Sequence, residues 1–384
     1  MEPAFDCKKA TSVIDIKAEL LRFGLQPNEV VDELFNIQNP HDIKRTGNNG
    51  IFISIDGLDA LVSTRHKCNS SSPYKIEKDP SGNYKLTKYD KTIDVSVAPI
   101  KFPEWASKEF QINGKKTNFS DYFLYEGSGF IHLAYNSCSF TEQEKCRFCS
   151  VRRRDKYEDH SVEDVCLALE AVLPDIPEDI HFCLGGGTHL SGDVEFFKPI
   201  IQTIRKYKNN PIWIEMIPPT KTHKTQKLTD NIQELINAGA TSFGFNIEIW
   251  DDDKRKEICP GKSRVPKEDY LQACEYAKTK LGPDSVGSCL IVGLDTRENI
   301  KNAIDKLLEL GVQPCILMYK DYDTDLGKHV IPESYQQDYI FLSEYAARKA
   351  NNLGMEFDKN QGCLKCNCCT IMHDIQLQIK EKKR

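Results

Sequence analysis

From about residue 128 the chain alternates between short apolar runs and longer stretches with apolar residues at helical spacing. The runs Phe130–Tyr135, Ile180–Leu184, Ile212–Met216, Ser242–Glu248, Val286–Val292 and Cys315–Met318 read as strands. Each is followed by an amphipathic segment. The first begins after Ser161, a helix cap with Asp164 in the first turn. The others are Val194–Tyr207, Leu228–Ala238, Lys267–Thr279, Arg297–Leu310 and Glu333–Asn351. In the second, Phe196, Phe197, Ile200, Ile201 and Ile204 share a face. Such alternation predicts βα units around a parallel sheet. Six units make most of a (β/α)₈ barrel, whose chemistry sits at the C-terminal strand ends.

The first 127 residues have another texture. A helical pattern covers 14–37, through Ile14, Leu20, Leu21, Val30, Val31, Leu34 and Phe35. Strand-like runs at 51–55 and 92–97 follow, between turn signals at Asn69–Pro73 and Asp79–Asn83. The expected fold is α/β: a partial (β/α)₆ TIM-like barrel over 128–330, a small N-terminal α+β attachment over 1–127, and a C-terminal helix with a cysteine-rich tail over 331–384.

Composition narrows the picture. A net charge of −6 argues against a nucleic-acid partner. No apolar run approaches the roughly 18 residues of a membrane span, and the first residues lack a secretory pattern. The expectation is a cytoplasmic protein. Its 15 cysteines then call for metal rather than disulfides. Two groups stand at ligand spacing: Cys138, Cys146 and Cys149, and Cys363, Cys366, Cys368 and Cys369. Cys7, Cys68, Cys166, Cys183, Cys259, Cys274, Cys289 and Cys315 are scattered, mostly among apolar residues, and read as small buried hydrophobes.

Cys138 follows the first barrel strand and opens a C-x7-C-x2-C loop. Thiolates hold iron–sulfur clusters and zinc. A four-iron cube with three cysteine ligands keeps one iron open, so the loop is a reaction site; the alternative is a zinc knuckle that borrows a fourth ligand. The loop resembles that of the radical S-adenosylmethionine (SAM) superfamily, with Phe148 at the aromatic position before the last cysteine and a first gap wider than the common three residues. The resemblance implies a [4Fe–4S] cluster on Cys138, Cys146 and Cys149, chelation of the open iron by the methionine end of SAM, and reductive cleavage to a 5′-deoxyadenosyl radical. The barrel segment further resembles the biotin synthase-like branch. Ser72-Pro73-Tyr74 and the tail are similar to a radical SAM family associated with nitrilase gene clusters.

The resemblance also implies SAM-binding positions. Gly185, Gly186, Gly187 and Thr188 end the second strand, where the family receives the methionine amine; glycines let backbone approach a ligand. Asn246 and Glu248 share a face of the fourth strand, where the family binds the ribose hydroxyls. The plain alternative for Glu248 is a buried carboxylate paired with a structural cation. Arg255 is a candidate for the SAM carboxylate. Ile291 and Gly293 of the fifth strand match the adenine-packing position. Glu215, Tyr319 and Asp321 lie near the mouth without an assigned role, and no catalytic residue is named. In the tail, Cys363, Cys366 and Cys369 are read as ligands of a second [4Fe–4S] cluster at the barrel mouth, with His373 a candidate fourth ligand and zinc the alternative.

The expected function is a radical SAM enzyme abstracting hydrogen from a small-molecule substrate, with an electron donor such as a ferredoxin or flavodoxin. The alternatives are a sulfur-inserting enzyme like biotin synthase, and a non-catalytic iron–sulfur carrier or zinc-stabilised binding protein. No Gly-x-Gly-x-x-Gly or P-loop pattern supports a nucleotide cofactor.

Overall fold

The computed structural model describes residues 12–38, 50–65, 67–127, 129–133, 137–149, 152–153, 160–188, 193–218, 228–320, 326, 334–357 and 361–382. Cys7, Tyr135, Asp321 and Glu333 lie outside these residues.

The six predicted barrel strands are present in chain order: Phe130–Leu133, His181–Leu184, Ile212–Glu215, Ser242–Gly244, Val286–Val292 and Gln313–Met318. Neighbouring pairs are parallel throughout. An antiparallel strand, Phe123–Glu126, adds a seventh position beside the first barrel strand. Helices Val162–Val172, Asp193–Tyr207, Leu228–Ala238, Lys267–Leu281, Arg297–Glu309 and Tyr335–Asn352 carry the crossovers. Their apolar faces, with Phe197, Ile200, Ile232, Ile304 and Leu342 fully buried, pack into one core on the sheet's outer side. This is the partial (β/α)₆ barrel expected from the alternating pattern.

The fourth strand is shorter than the sequence pattern suggests. Ser242–Gly244 pairs with both neighbours, and pairing resumes at Glu248, whose N–H donates to the Cys289 carbonyl at 2.8 Å. Glu248 has φ 67°, a left-handed backbone rarely adopted outside glycine. The strand therefore breaks at its C-terminal end and re-aims its last polar residues.

The long helical pattern near the N-terminus is two helices, Val13–Phe23 and Glu29–Gln38. A reciprocal Ser12–Asp15 capping box starts the first, and Gly24 (φ 67°) ends it. With the antiparallel strands Gly50–Ile55, Leu58–Ser63, Tyr74–Lys78, Tyr84–Lys88 and Val97–Pro99 they enclose a separate small core.

The tail enters the barrel from the N-terminal ends of the strands. The Gly362 N–H donates to His181 Nδ1 at 3.1 Å, and Ser242 Oγ donates to Gln361 Oε1 at 3.2 Å. A short helix, Gly362–Cys366, then lies inside the sheet against the second and third strands. Leu364 fills space that exists because residue 287 is glycine: a Cβ there would stand 2.5 Å from Leu364 Cδ1. A six-strand barrel has an unfilled interior, and the tail is what fills it. The insertion is pinned by Lys17, fully buried, whose ammonium donates to the Asn367 carbonyl at 2.9 Å and to Asp374 Oδ2 at 2.7 Å. Among the described residues no helix is long and apolar enough to cross a membrane.

Candidate active site

A cavity of about 370 Å³ opens at the C-terminal ends of the barrel strands. That size is at the small end of ordinary ligand pockets. Cys138, Cys146 and Cys149 all line it, with Phe140 and Phe148 from the same loop. The loop is held by backbone contacts on both sides. Ser139 N–H donates to the Thr188 carbonyl at 2.9 Å, tying it to the glycine turn. Arg147 N–H donates to Ile258 O at 2.8 Å, and Gly261 N–H to Glu144 O at 2.8 Å. Arg264 pairs with Glu144.

Gly261 is required by close approach. A Cβ would stand 2.6 Å from the Glu144 carbonyl oxygen and 2.7 Å from Phe140 Cε1. Gly261→Ala is therefore expected to push the cysteine loop off its support, with an overpacking cost of about 1–3 kcal/mol. Iron analysis after anaerobic reconstitution should show the loop cluster largely lost while far-ultraviolet circular dichroism stays unchanged.

Gly186, Gly187 and Thr188 line the cavity beside the cysteine loop, and Gly186 and Gly187 have φ of 116° and 135°. A side chain at either would be strained. Gly185 stands just behind them, where a Cβ would meet Glu215 Cβ at 3.0 Å.

Asn246 and Glu248 both reach the cavity. Asn246 Oδ1 accepts the Cys289 N–H at 3.0 Å, stitching the broken fourth strand to the fifth. Glu248 Oε1 accepts from Lys262 Nζ at 2.8 Å, whereas Oε2 is buried with no hydrogen-bond partner. The cation-paired carboxylate weighed as the plain alternative is thus present, and it leaves one oxygen over. Burial works against the charge of Lys262, but Glu248 and Cys146 outweigh it and hold the ammonium well above the usual lysine range. The Cys146 thiol meets Cys259, and that contact together with burial raises it well above the thiol range; Lys262 pulls it the other way.

Three residues expected at the SAM site do not line this cavity. Arg255 is 2 % exposed and outside the cavity lining. Its guanidinium donates to the Val265 and Lys262 carbonyls at 3.1 Å and stacks 4.7 Å from the Tyr270 ring, so it clamps the turn that carries Lys262. Ile291 is buried in the fifth strand, with its N–H on the Glu248 carbonyl. At Gly293 a Cβ would meet the Tyr335 ring at 2.6 Å, so helix packing accounts for that glycine.

The floor of the cavity holds a polar group that sequence reasoning did not assemble. His132 Nδ1 is 3.6 Å from Glu126 Oε2, and Glu215 lines the same wall. His132 Nε2 is buried and has no hydrogen-bond partner. Burial disfavours the imidazolium, but Glu126, and then Cys183 and Glu215, raise its pKa to about 10. Because the folded value lies above the ordinary 6.5, the stabilisation from this charge is complete below that pH and is lost as pH rises through about 10. An imidazole NMR titration should find His132 protonated at pH 8; a midpoint near 6.5 would contradict the pairing. The period-2 pattern of the first strand could have placed His132 inward, but Glu126 belongs to the added antiparallel strand.

Cys363 and Cys369 line this cavity too, reaching it from below. His373 does not; it sits on the underside with Gln313, Phe357 and Leu364. A tetrahedral zinc at about 2.3 Å from each sulfur keeps its thiolates roughly 3.8 Å apart. Among the described residues one trio of metal-binding side chains is comparably tight, Cys146, Glu248 and Cys259, and the tail cysteines form none.

Three loop thiols thus stand at the C-terminal strand ends of a partial barrel, beside a glycine turn. Residues 135–307 match the family model described as the Radical SAM superfamily. The cofactors of that family are a [4Fe–4S] cluster and SAM. A 5-amino-6-(D-ribitylamino)uracil–L-tyrosine 4-hydroxyphenyl transferase of Archaeoglobus fulgidus is 22 % identical over 236 residues, 56 % of this chain and 65 % of that protein. A second transferase of that name, from Methanosarcina acetivorans, is 27 % identical over 198 residues, 49 % of this chain and 46 % of its own length. A bacteriochlorophyllide c C-7(1)-hydroxylase of Chlorobaculum limnaeum is 32 % identical over 85 residues, 22 % of this chain and 21 % of the hydroxylase. The chain thus spans less than two thirds of each of these relatives. Among solved structures, coproporphyrinogen III oxidase of Escherichia coli overlays 62 % of this chain and 55 % of its own, with a TM-score of 0.44 and 16 % identity. The FeFe-hydrogenase maturase HydG of Carboxydothermus hydrogenoformans overlays 59 % and 56 %, with a TM-score of 0.41 and 16 % identity.

Proposed function

We propose that the cavity binds a [4Fe–4S] cluster on Cys138, Cys146 and Cys149 together with SAM, and that a small-molecule substrate lies against its floor. The observation that carries this reading is convergence: three loop thiols, the Gly186–Thr188 turn and a carboxylate with one oxygen unpartnered line a single cavity. These residues fit the cofactors. The thiols supply soft ligands, the glycine turn admits close backbone approach, and Glu248 offers an acceptor for hydroxyl groups. When bound, the pair supplies reductive cleavage of SAM and a 5′-deoxyadenosyl radical for hydrogen abstraction.

The chain's own residues then do the following. Backbone groups of Gly186, Gly187 and Thr188 receive the methionine amine. Glu248 Oε2 accepts from the ribose hydroxyls, while Lys262 holds the carboxylate in place and offsets its charge. Phe140, Phe148, Leu124, Met216 and Ile217 keep the cavity wall apolar and limit water. The His132 imidazolium, flanked by Glu126 and Glu215, presents a donor beside acceptors to the substrate. A ferredoxin- or flavodoxin-like protein is the proposed electron donor.

The test is direct. Protein reconstituted anaerobically with iron and sulfide, then reduced with dithionite, should convert SAM to 5′-deoxyadenosine and methionine. Loaded, reduced protein that forms neither product would overturn the reading.

A further inference from the structure

One thiol beside the cysteine loop has no part in the functional reading above. The sulfurs of Cys146 and Cys259 and a carboxylate oxygen of Glu248 all lie within 4.8 Å of one another. A tetrahedral zinc, at about 2.3 Å from sulfur and 2.0–2.2 Å from oxygen, sets such donors roughly 3.5–3.8 Å apart. Small side-chain adjustments bring the trio to that spacing. Among the described residues no other group of donors is so tight, and Cys138 and Cys149 are not in it. The three loop thiols are set too wide to share one ion, whereas this trio is gathered for one.

The backbone holds the trio together. Arg147 N–H on the Ile258 carbonyl and Gly261 N–H on the Glu144 carbonyl, each at 2.8 Å, bracket Cys146 and Cys259 and press their segments against each other. Cys259 ends the helix Asp252–Ile258, with its own N–H on the Arg255 carbonyl at 2.8 Å. Glu248 is fixed by its bridge to the fifth strand and by Lys262 on Oε1, and Oε2 is buried without a hydrogen-bond partner. Cys259 is fully buried, Cys146 is 7 % exposed and the Glu248 side chain 12 %. Charges so buried are paired or coordinate metals. A coordinating thiol is deprotonated outright, so two thiolates and a carboxylate carry three negative charges. A divalent ion and the Lys262 ammonium cancel them.

We propose that Cys146, Cys259 and Glu248 form a mononuclear zinc site that fills in the cluster-free chain and withholds Cys146 from the loop cluster until the zinc leaves. This ligand set differs from a zinc knuckle on the loop, which uses Cys138 and Cys149. Two thiol protons depart as the ion binds. The fourth position of the ion faces the cavity, which Cys146 and Glu248 both line. Zinc outranks ferrous iron at such donors, so iron supplied for cluster assembly does not displace it. The site stands without the functional reading; its competition with the cluster rests on that reading.

The full chain, stripped of iron under anaerobic conditions, is loaded with zinc chloride and washed. Metal analysis should find about one zinc more per chain than in Cys259→Ser, while Cys138→Ala and Cys149→Ala match the wild type. The affinity for that zinc should fall more than about 100-fold in Cys259→Ser, because loss of even an outer partner of a metal ligand costs roughly 10- to 100-fold. Zinc added before iron and sulfide should cut loading of the loop cluster, a chelator should restore it, and in Cys259→Ser the same zinc should have no effect. If Cys259→Ser does not fold, Glu248→Gln is the substitute, and unchanged zinc affinity in it overturns the site. Full zinc in Cys259→Ser overturns it too, as does loss of this zinc in Cys138→Ala or Cys149→Ala. Zinc that binds as expected and leaves cluster loading unchanged overturns the competition. SAM cleavage by the loaded chain with no zinc bound at this trio ends the proposal and keeps the functional reading. Zinc bound as expected, in a chain that cleaves no SAM after chelation and cluster loading, defeats the functional reading and leaves the zinc site standing.

Discussion

Replacing Cys138, Cys146 and Cys149 together by Ala is expected to abolish reductive SAM cleavage and to remove about four irons per chain. The loss should be complete, because all three loop ligands proposed for the cluster are removed at once. The fold should survive. The loop is docked through backbone contacts, Arg147 to Ile258 and Gly261 to Glu144, that do not involve the thiols. A circular dichroism spectrum like that of the wild type, with no 5′-deoxyadenosine above background, is the expected pair of results. Cleavage at the wild-type rate in the triple variant would remove the loop from the account.

Glu248→Gln is expected to lower SAM affinity by about 10- to 100-fold. A hydrogen bond to a charged group contributes roughly 1.5–3 kcal/mol, and each 1.4 kcal/mol is about a decade in affinity. The structure adds a second consequence. Lys262 is buried against this carboxylate, and breaking a buried pair costs about 3–5 kcal/mol when one charge is left alone. Glutamine keeps an acceptor for the ammonium, so the stability loss should fall below that range. The double variant Glu248→Gln, Lys262→Met separates the two effects: stability should recover, and SAM affinity should not. Calorimetric titration and thermal unfolding read both. Recovery of SAM binding in the double variant would show that the carboxylate serves the lysine and not the ribose.

The barrel was legible because its signal is repetitive. Each strand is a short apolar run, each helix has an apolar face, and the six units appear in order. The cysteine loop was legible because its ligands lie close in the chain. Residues that meet only through the fold were not. Glu248 and Lys262 are brought together by a strand break at a positive φ that no pattern announces. Arg255 looked like an anion ligand in a charged run, yet it is spent on two carbonyls of its own turn. The tail's place inside the barrel was not legible for a physical reason: an incomplete barrel leaves its interior to be filled, and Gly287 leaves room for Leu364. Once the tail is inside, Cys183, Cys289 and Cys315 pack in one apolar cluster with Leu364. Their inward direction follows from strand alternation, but their common neighbour is a segment as far away as residue 364.

The central claim is that the open iron of the loop cluster meets the methionine end of SAM in this cavity. Electron–nuclear double resonance on the reduced protein, with SAM labelled isotopically in the methionine amine and carboxylate, measures that contact. Hyperfine coupling between the labelled atoms and the cluster spin is the predicted result. A fully loaded, reduced cluster that shows no coupling at saturating SAM would contradict the account.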